Sequence, residues 1–230
     1  TDLLSDYAAA FIRKQNASKP FCVYLAHKAI HGPFTPAARH ANLYADAVIR
    51  RSANAQDNLA GKPMLTRELP AVPEKKAAKK KGAPAGPGDE LVRNQLRCLT
   101  AIDEGLGRVL QALEETKALS NTLIIFTSDN GYFWGEHGLG DKRAAYEESI
   151  RIPMAARYPP LIKAGTRINS LVLNIDVAQT ALAAAGVAAH KQMQGRSVLP
   201  LFAGRTSGWR QHFLCEYFME QNFARVASWE

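Results

Sequence analysis

The sequence has no apolar run near the roughly 20 residues that cross a bilayer, so it contains no membrane-spanning helix. It has only three cysteines, Cys22, Cys98 and Cys215, far apart and without a CxxC pair or Cys/His ligand spacing. That excludes a disulfide framework and a zinc-ribbon site; all three read as buried free thiols, Cys22 and Cys215 in strands and Cys98 on a helix. No internal repeat is visible, which excludes a solenoid. No charged-then-apolar leader opens the chain, which starts at Thr1 inside a helical pattern and reads as an excerpt or a processed product.

Charge of one sign is in excess, with a net +8, but half of it sits in "EKKAAKKK", residues 74–81. Beside Pro and Gly this low-complexity run reads as a flexible lysine-rich loop at about 74–88, a solvated surface and not a phosphate groove. No nucleic-acid partner is expected. Residues 42–73 carry little pattern.

The ordered parts alternate between helical and strand patterns. Leu3, Leu4, Tyr7, Ala8, Phe11 and Ile12 step at helical spacing through residues 3–16. "PFCVYLA", residues 20–26, reads as a buried strand. Asp89 is a good N-cap, and Val92, Leu96, Leu99, Ile102, Leu106, Val109 and Leu113 predict a long helix to about residue 117. "NTLIIFTSDN" predicts a strand covered on both faces. "IPMAARY" and "INSLVLN" are further strands, residues 175–187 a helix, "SVLPLFAG" a turn or two, and "HFLCEYF" with "FARVASW" a closing hairpin. This alternation predicts a doubly wound α/β sheet, with ligands at the carboxyl ends of its strands.

Two such ends run into polar loops. "FCVYLA" enters "HKAIHGPF", and "TLIIFT" enters "SDNGYFWGEHGLGDKR". Asp129 and Asn130 are adjacent hard oxygen donors of the kind Ca²⁺ or Mg²⁺ takes. Taken alone, Asp-Asn-Gly after a strand is a turn. Lys142 and His31 would make a cationic cradle for an oxyanion if they converged near a divalent cation. Taken alone, each is a surface residue.

The combination resembles the sulfatase family, the formylglycine-dependent sulfate ester hydrolases of the alkaline phosphatase superfamily, in its N-acetylglucosamine-6-sulfatase and arylsulfatase-like group. "FTSDNGYFWGEHGLGDKRAAYEESIRIPMAARYP" carries the likeness, with "FCVYLAHKAIHGPFTP", "LVLNIDVAQTALAAAGV" and "MQGRSVLPLFAG" in register. The resemblance implies an alkaline-phosphatase-like sheet sandwiched by helices, with a catalytic domain over residues 1–205 and the start of a small α+β subdomain at 206–230. It implies that Asp129 and Asn130 help bind Ca²⁺, that Lys142 contacts a sulfate oxygen, and that His31 faces the leaving oxygen. His137 lies near the substrate by the same likeness. Asp103 reads as structural, and Glu147, Glu148 and Arg151 as anchors of the loop. The implied substrate is a sulfated small molecule or glycan, and the implied location is periplasmic or secreted.

The family's nucleophile motif, Cys/Ser-x-Pro/Ala-x-Arg, and its early Asp-Asp pair are not in this sequence. The reading is therefore a middle-to-late piece of a sulfatase that lacks the N-terminal third and is inactive alone. Two alternatives remain at this stage. One is a phosphonate or phosphodiester hydrolase of the same superfamily; the other is a noncatalytic sulfated-glycan-binding protein.

Overall fold

The computed structural model describes residues 1–16, 18–56, 59–62, 65 and 86–218. Most of the lysine-rich loop and "FARVASW" lie outside them. The described helices and strands are α1 (Asp2–Arg13), α2 (Asp89–Glu115), β1 (Ile124–Thr127), β2 (Phe133–Trp134), β3 (Gly140–Asp141), α3 (Glu147–Ile150), β4 (Met154–Arg157), α4 (Asp176–Ala184) and α5 (Leu199–Phe202). No helix among the described residues is long and apolar enough to cross a membrane.

The chain divides into two units. The first is Thr1–Asn42, Gln95–Thr127 and Pro153–Phe213. In it α1 packs through Ala9 and Ile12 onto Ala112 and Leu113 of α2, with Phe21, Val109 and Ile124 around them. The helix is where the periodicity puts it, but the face differs. Ser5, Ala8, Ala9 and Ile12 are buried, while Leu3, Leu4, Tyr7 and Phe11 are exposed. Small side chains let the two helix backbones approach closely. The ends of the pair are pinned by charge: Arg13 to Glu115 at 2.6 Å, and Asp2 to both Arg39 and Arg108 at 2.8 and 2.9 Å. These two guanidiniums hold the Asp2 carboxyl well below the usual range.

β1 and β4 pair antiparallel, Ile124 opposite Arg157 through Thr127 opposite Met154. Both strands are where the sequence puts them. β1 is only half-buried, with Phe126 exposed, so the expected cover on both faces is corrected. Behind β4, Met154 and Ala156 join Leu123, Val198, Leu201, Phe202 and Trp209 in a second core.

Three expected strands do not form. Residues 20–26, 168–174 and 212–218 belong to no ladder beyond a single bridge at Tyr217. A strand needs a hydrogen-bonding neighbour as well as apolar residues, and the sequence reports only the latter. Cys22 is accordingly exposed and Cys215 half-buried, which corrects the expectation of buried thiols there. Cys98 is buried on α2 as expected, and all three cysteines are free.

The "QGRS" segment has a structural explanation. Asp176 at the start of α4 is 0% exposed and accepts from Leu173 N at 2.9 Å and Arg196 N at 2.7 Å. Both guanidinium nitrogens of Arg210 also donate to this carboxylate. Burial pushes the Asp176 carboxyl up, but Arg210 and the two amides outweigh it and hold it below its ordinary value. A Cβ on Gly195 would lie 2.1 Å from the Ile175 carbonyl oxygen, so only glycine lets this segment reach α4.

The second unit is Leu43–Asn94, Ser128–Ile152 and the chain from Leu214 onwards. It contains β2, β3, α3 and the start of α2. Asp89 is the first residue of α2 and not its cap. Its carboxylate accepts from Arg51 at 2.6 Å, while the Gly88 carbonyl takes the first helical amides.

Candidate functional site

Asp129, Asn130, His137 and Lys142 all belong to the second unit, and His31 to the first. The backbone between Asn130 and Lys142 doubles back as a short hairpin, with Phe133 opposite Asp141 and Trp134 opposite Gly140. Glu136 closes its tip: it is buried, and its Oε2 accepts from Trp134 N at 2.6 Å. His137 and Asp141 sit at φ of 54° and 67°, unusual for residues with a Cβ. The Asp141 carboxylate is held by Arg143.

Asp-Asn-Gly does not form the plain turn that the tripeptide alone suggests. Gly131 N donates to Ser149 O and Tyr132 N to Glu148 O, each at 2.7 Å. A Cβ on Gly131 would stand 2.1 Å from the Glu148 carbonyl oxygen. Gly131 is therefore needed for close approach of α3.

Within the corner, Ser128 Oγ donates to Asn130 O at 2.9 Å, and Asn130 Nδ2 donates to Gly131 O at 2.7 Å. That bond engages Nδ2 and leaves Oδ1 without a hydrogen-bond partner among the described residues. Asp129 is exposed. An exposed carboxylate beside an amide oxygen fits a hard cation such as Ca²⁺, which needs about six to eight oxygens and so further ligands. Among the described residues no group of three or more His, Cys, Asp or Glu could hold a metal.

Tyr146, just before α3, and α3 itself organise the rest. The Ser149 hydroxyl donates to the Lys142 carbonyl. The Lys142 ammonium has no hydrogen-bond or ion-pair partner among the described residues. The Tyr146 ring stacks on His137 at 4.3 Å between centroids and meets Phe133 edge-on. Glu148 lies 3.5 Å from His137 Nε2 and accepts from Asn54 Nδ2 at 2.8 Å. Burial pushes the Glu148 carboxyl up. Its own backbone amide, Asn54 and His137 more than offset this and hold it below its ordinary value. The anchoring role expected of Glu148 is present; Glu147 and Arg151 pair 3.3 Å apart on the surface, and Asp103 is exposed on α2.

In the first unit His31 is exposed, with Nδ1 3.3 Å from Gly32 O and its amide donating to Lys28 O at 2.8 Å. His27, four residues before it, has a buried Nδ1 with no hydrogen-bond partner among the described residues. Burial, and then the positive N-terminus and Arg108, push its pKa down.

The sequence reading missed Ser149, Tyr146, Asn54 and Arg51. Arg51 donates to Trp134 O at 2.9 Å and to Pro87 O at 2.7 Å. Asn54 and Arg51 come from the patternless stretch 42–73, where nothing in the sequence signals them.

The family described as N-sulphoglucosamine sulphohydrolase, C-terminal, matches residues 135–228. An N-acetylglucosamine-6-O-sulfatase of Bacteroides thetaiotaomicron is 31% identical over 95% of this chain and 49% of its own length. The human N-acetylglucosamine-6-sulfatase is 31% identical over 94% of this chain and 38% of its own. The solved structure of BT4656 in complex with its substrate, D-glucosamine-2-N,6-O-disulfate, superposes with a TM-score of 0.79 and 30% identity, covering 95% of this chain and 55% of that one. The fold is thus that of the sulfatases, alkaline-phosphatase-like as the resemblance implies. The chain belongs to the sulfatase family, and it spans about half the length, or less, of the curated relatives it matches.

Proposed function

We propose that this chain is the part of a sulfate ester hydrolase that carries the Asp-Asn metal pair and the sulfate-contacting lysine, acting on a sulfated glucosamine unit of a glycan in the periplasm or outside the cell. The reading is supported by the way one residue, Ser149, is bonded to both ends of the hairpin, at Gly131 beside the Asp129–Asn130 corner and at Lys142.

A sulfate monoester breaks with negative charge growing on its bridging oxygen. Lys142 would set its ammonium against a nonbridging oxygen, as a compact point charge suited to a small oxyanion. A Ca²⁺ held by Asp129 and Asn130, with other ligands, would supply further positive charge there. His31 would hydrogen-bond or protonate the leaving oxygen. His137, fixed by Tyr146 and Glu148, would line the sugar side. The attacking formylglycine is assigned to a segment outside these 230 residues, because no Cys or Ser here has its motif.

The test uses the encoded protein that contains these residues, expressed with a formylglycine-generating enzyme and given N-acetylglucosamine 6-sulfate and 4-nitrophenyl sulfate. Sulfate release is expected, falling roughly 10²–10³-fold in Lys142→Ala, the scale of losing one charge-stabilising donor. Hydrolysis of phosphonate monoesters without sulfate release would sink the reading.

A further inference from the structure

We propose that Ser149 is a positioning residue, which sets Lys142 against the Asp129–Asn130 corner; the proposal rests on the sulfatase reading of Lys142. Ser149 is 4% exposed and makes three bonds. Its amide donates to Tyr146 O at 2.9 Å, its carbonyl accepts from Gly131 N at 2.7 Å, and its hydroxyl donates to Lys142 O. Two positions eleven residues apart are thus referenced to one residue of a short helix.

The two-residue ladder of β2 and β3 ends at Asp141, just before the lysine. Its ammonium has no protein partner among the described residues, its neighbour Asp141 has a left-handed backbone at φ 67°, and the Asp141 carboxylate is taken by Arg143. The direction in which the side chain leaves the backbone is therefore fixed by the Lys142 peptide plane, and that plane is fixed by the Ser149 hydroxyl. Alanine at 149 leaves the carbonyl without its donor, whereas threonine keeps the hydroxyl. A shift of about 1 Å at a catalytic group costs on the order of 10²-fold in rate.

The experiment is a double-mutant cycle in the encoded protein, with kcat and KM for N-acetylglucosamine 6-sulfate measured well below the melting temperature. Ser149→Ala is expected to lower kcat roughly 10–100-fold with KM within about threefold. Ser149→Thr is expected to stay within about threefold of the unsubstituted enzyme. In a Lys142→Ala background, Ser149→Ala is expected to add no further loss, because the group it places is gone. Ser5→Ala, which removes another buried hydroxyl bonded to a carbonyl, is the stability control and is expected to leave kcat unchanged. Two results overturn the proposal. One is Ser149→Ala leaving kcat within about twofold while Lys142→Ala is crippled; the other is an equal loss with and without Lys142. If Lys142→Ala is itself fully active, the sulfatase reading of Lys142 falls instead.

Discussion

Gly131 and Glu148 meet backbone to backbone, so closely that a Cβ on the glycine would lie 2.1 Å from the glutamate's carbonyl oxygen. The amides on either side of this contact carry two hydrogen bonds of 2.7 Å. Gly131→Ala is therefore expected to push α3 away, at a cost of about 1–3 kcal/mol, typical of overpacking. A fall in the thermal midpoint, with loss of amide protection at residues 131 and 132, checks this. An alanine variant as stable as the parent would refute it.

The Asp176–Arg210 pair gives a pH prediction. The Asp176 carboxyl is held below its unfolded value of about 3.9, so its contribution is complete above that pH and is lost as pH falls through it toward the folded value. Arg210→Met leaves the buried carboxylate without its cation and is expected to destabilise by about 3–5 kcal/mol. Asp176→Asn is expected to remove part of the loss of stability seen on acidification. Urea unfolding between about pH 6 and pH 3 measures both.

Asn54→Ala removes the amide donor to Glu148. The Glu148 carboxyl is expected to rise toward its ordinary value, and the second unit to lose about 1.5–3 kcal/mol, the scale of one hydrogen bond to a charged acceptor. Carboxyl-carbon NMR titration reads the first effect and thermal unfolding the second. An unmoved Glu148 titration would count against the clamp on His137.

The 230-residue chain by itself is expected to release no sulfate from 4-nitrophenyl sulfate and to bind Ca²⁺ weakly. Calcium-dependent turnover by the pure chain would contradict this, as would tight calorimetric binding that Asp129→Ala abolishes.

Deletion of residues 75–81 is expected to remove any weak, steeply salt-dependent retention on DNA, the signature of nonspecific charge. Persistent salt-resistant DNA binding after the deletion would reopen a nucleic-acid role.

The two long helices were legible because each repeats one side-chain period over many residues, and β1 and β4 because each lies in a short apolar run. Asp129, Asn130 and Lys142, the residues of the proposed site, stand out in the sequence because they sit in one continuous loop. The partners that organise this loop do not. Ser149 acts through its carbonyl and one hydroxyl, and Gly131 through the absence of a side chain; neither leaves a pattern. Asn54 and Arg51 come from a segment with no periodicity at all. The misplaced strand at residues 20–26 fails for a related reason: Tyr24 is 91% exposed because no described strand pairs with that segment, and pairing is a property of two segments.

The Asp176 carboxylate depends on a cation thirty-four residues further on. A recombinant piece cut anywhere between α5 and Arg210 would keep the anion and discard its counterion. Such a truncate should go to inclusion bodies, while one ending just beyond Arg210 should express better. In designing fragments for crystallisation or labelling, this ion pair thus sets a minimum 3′ boundary for the coding insert, beyond the codon for Arg210.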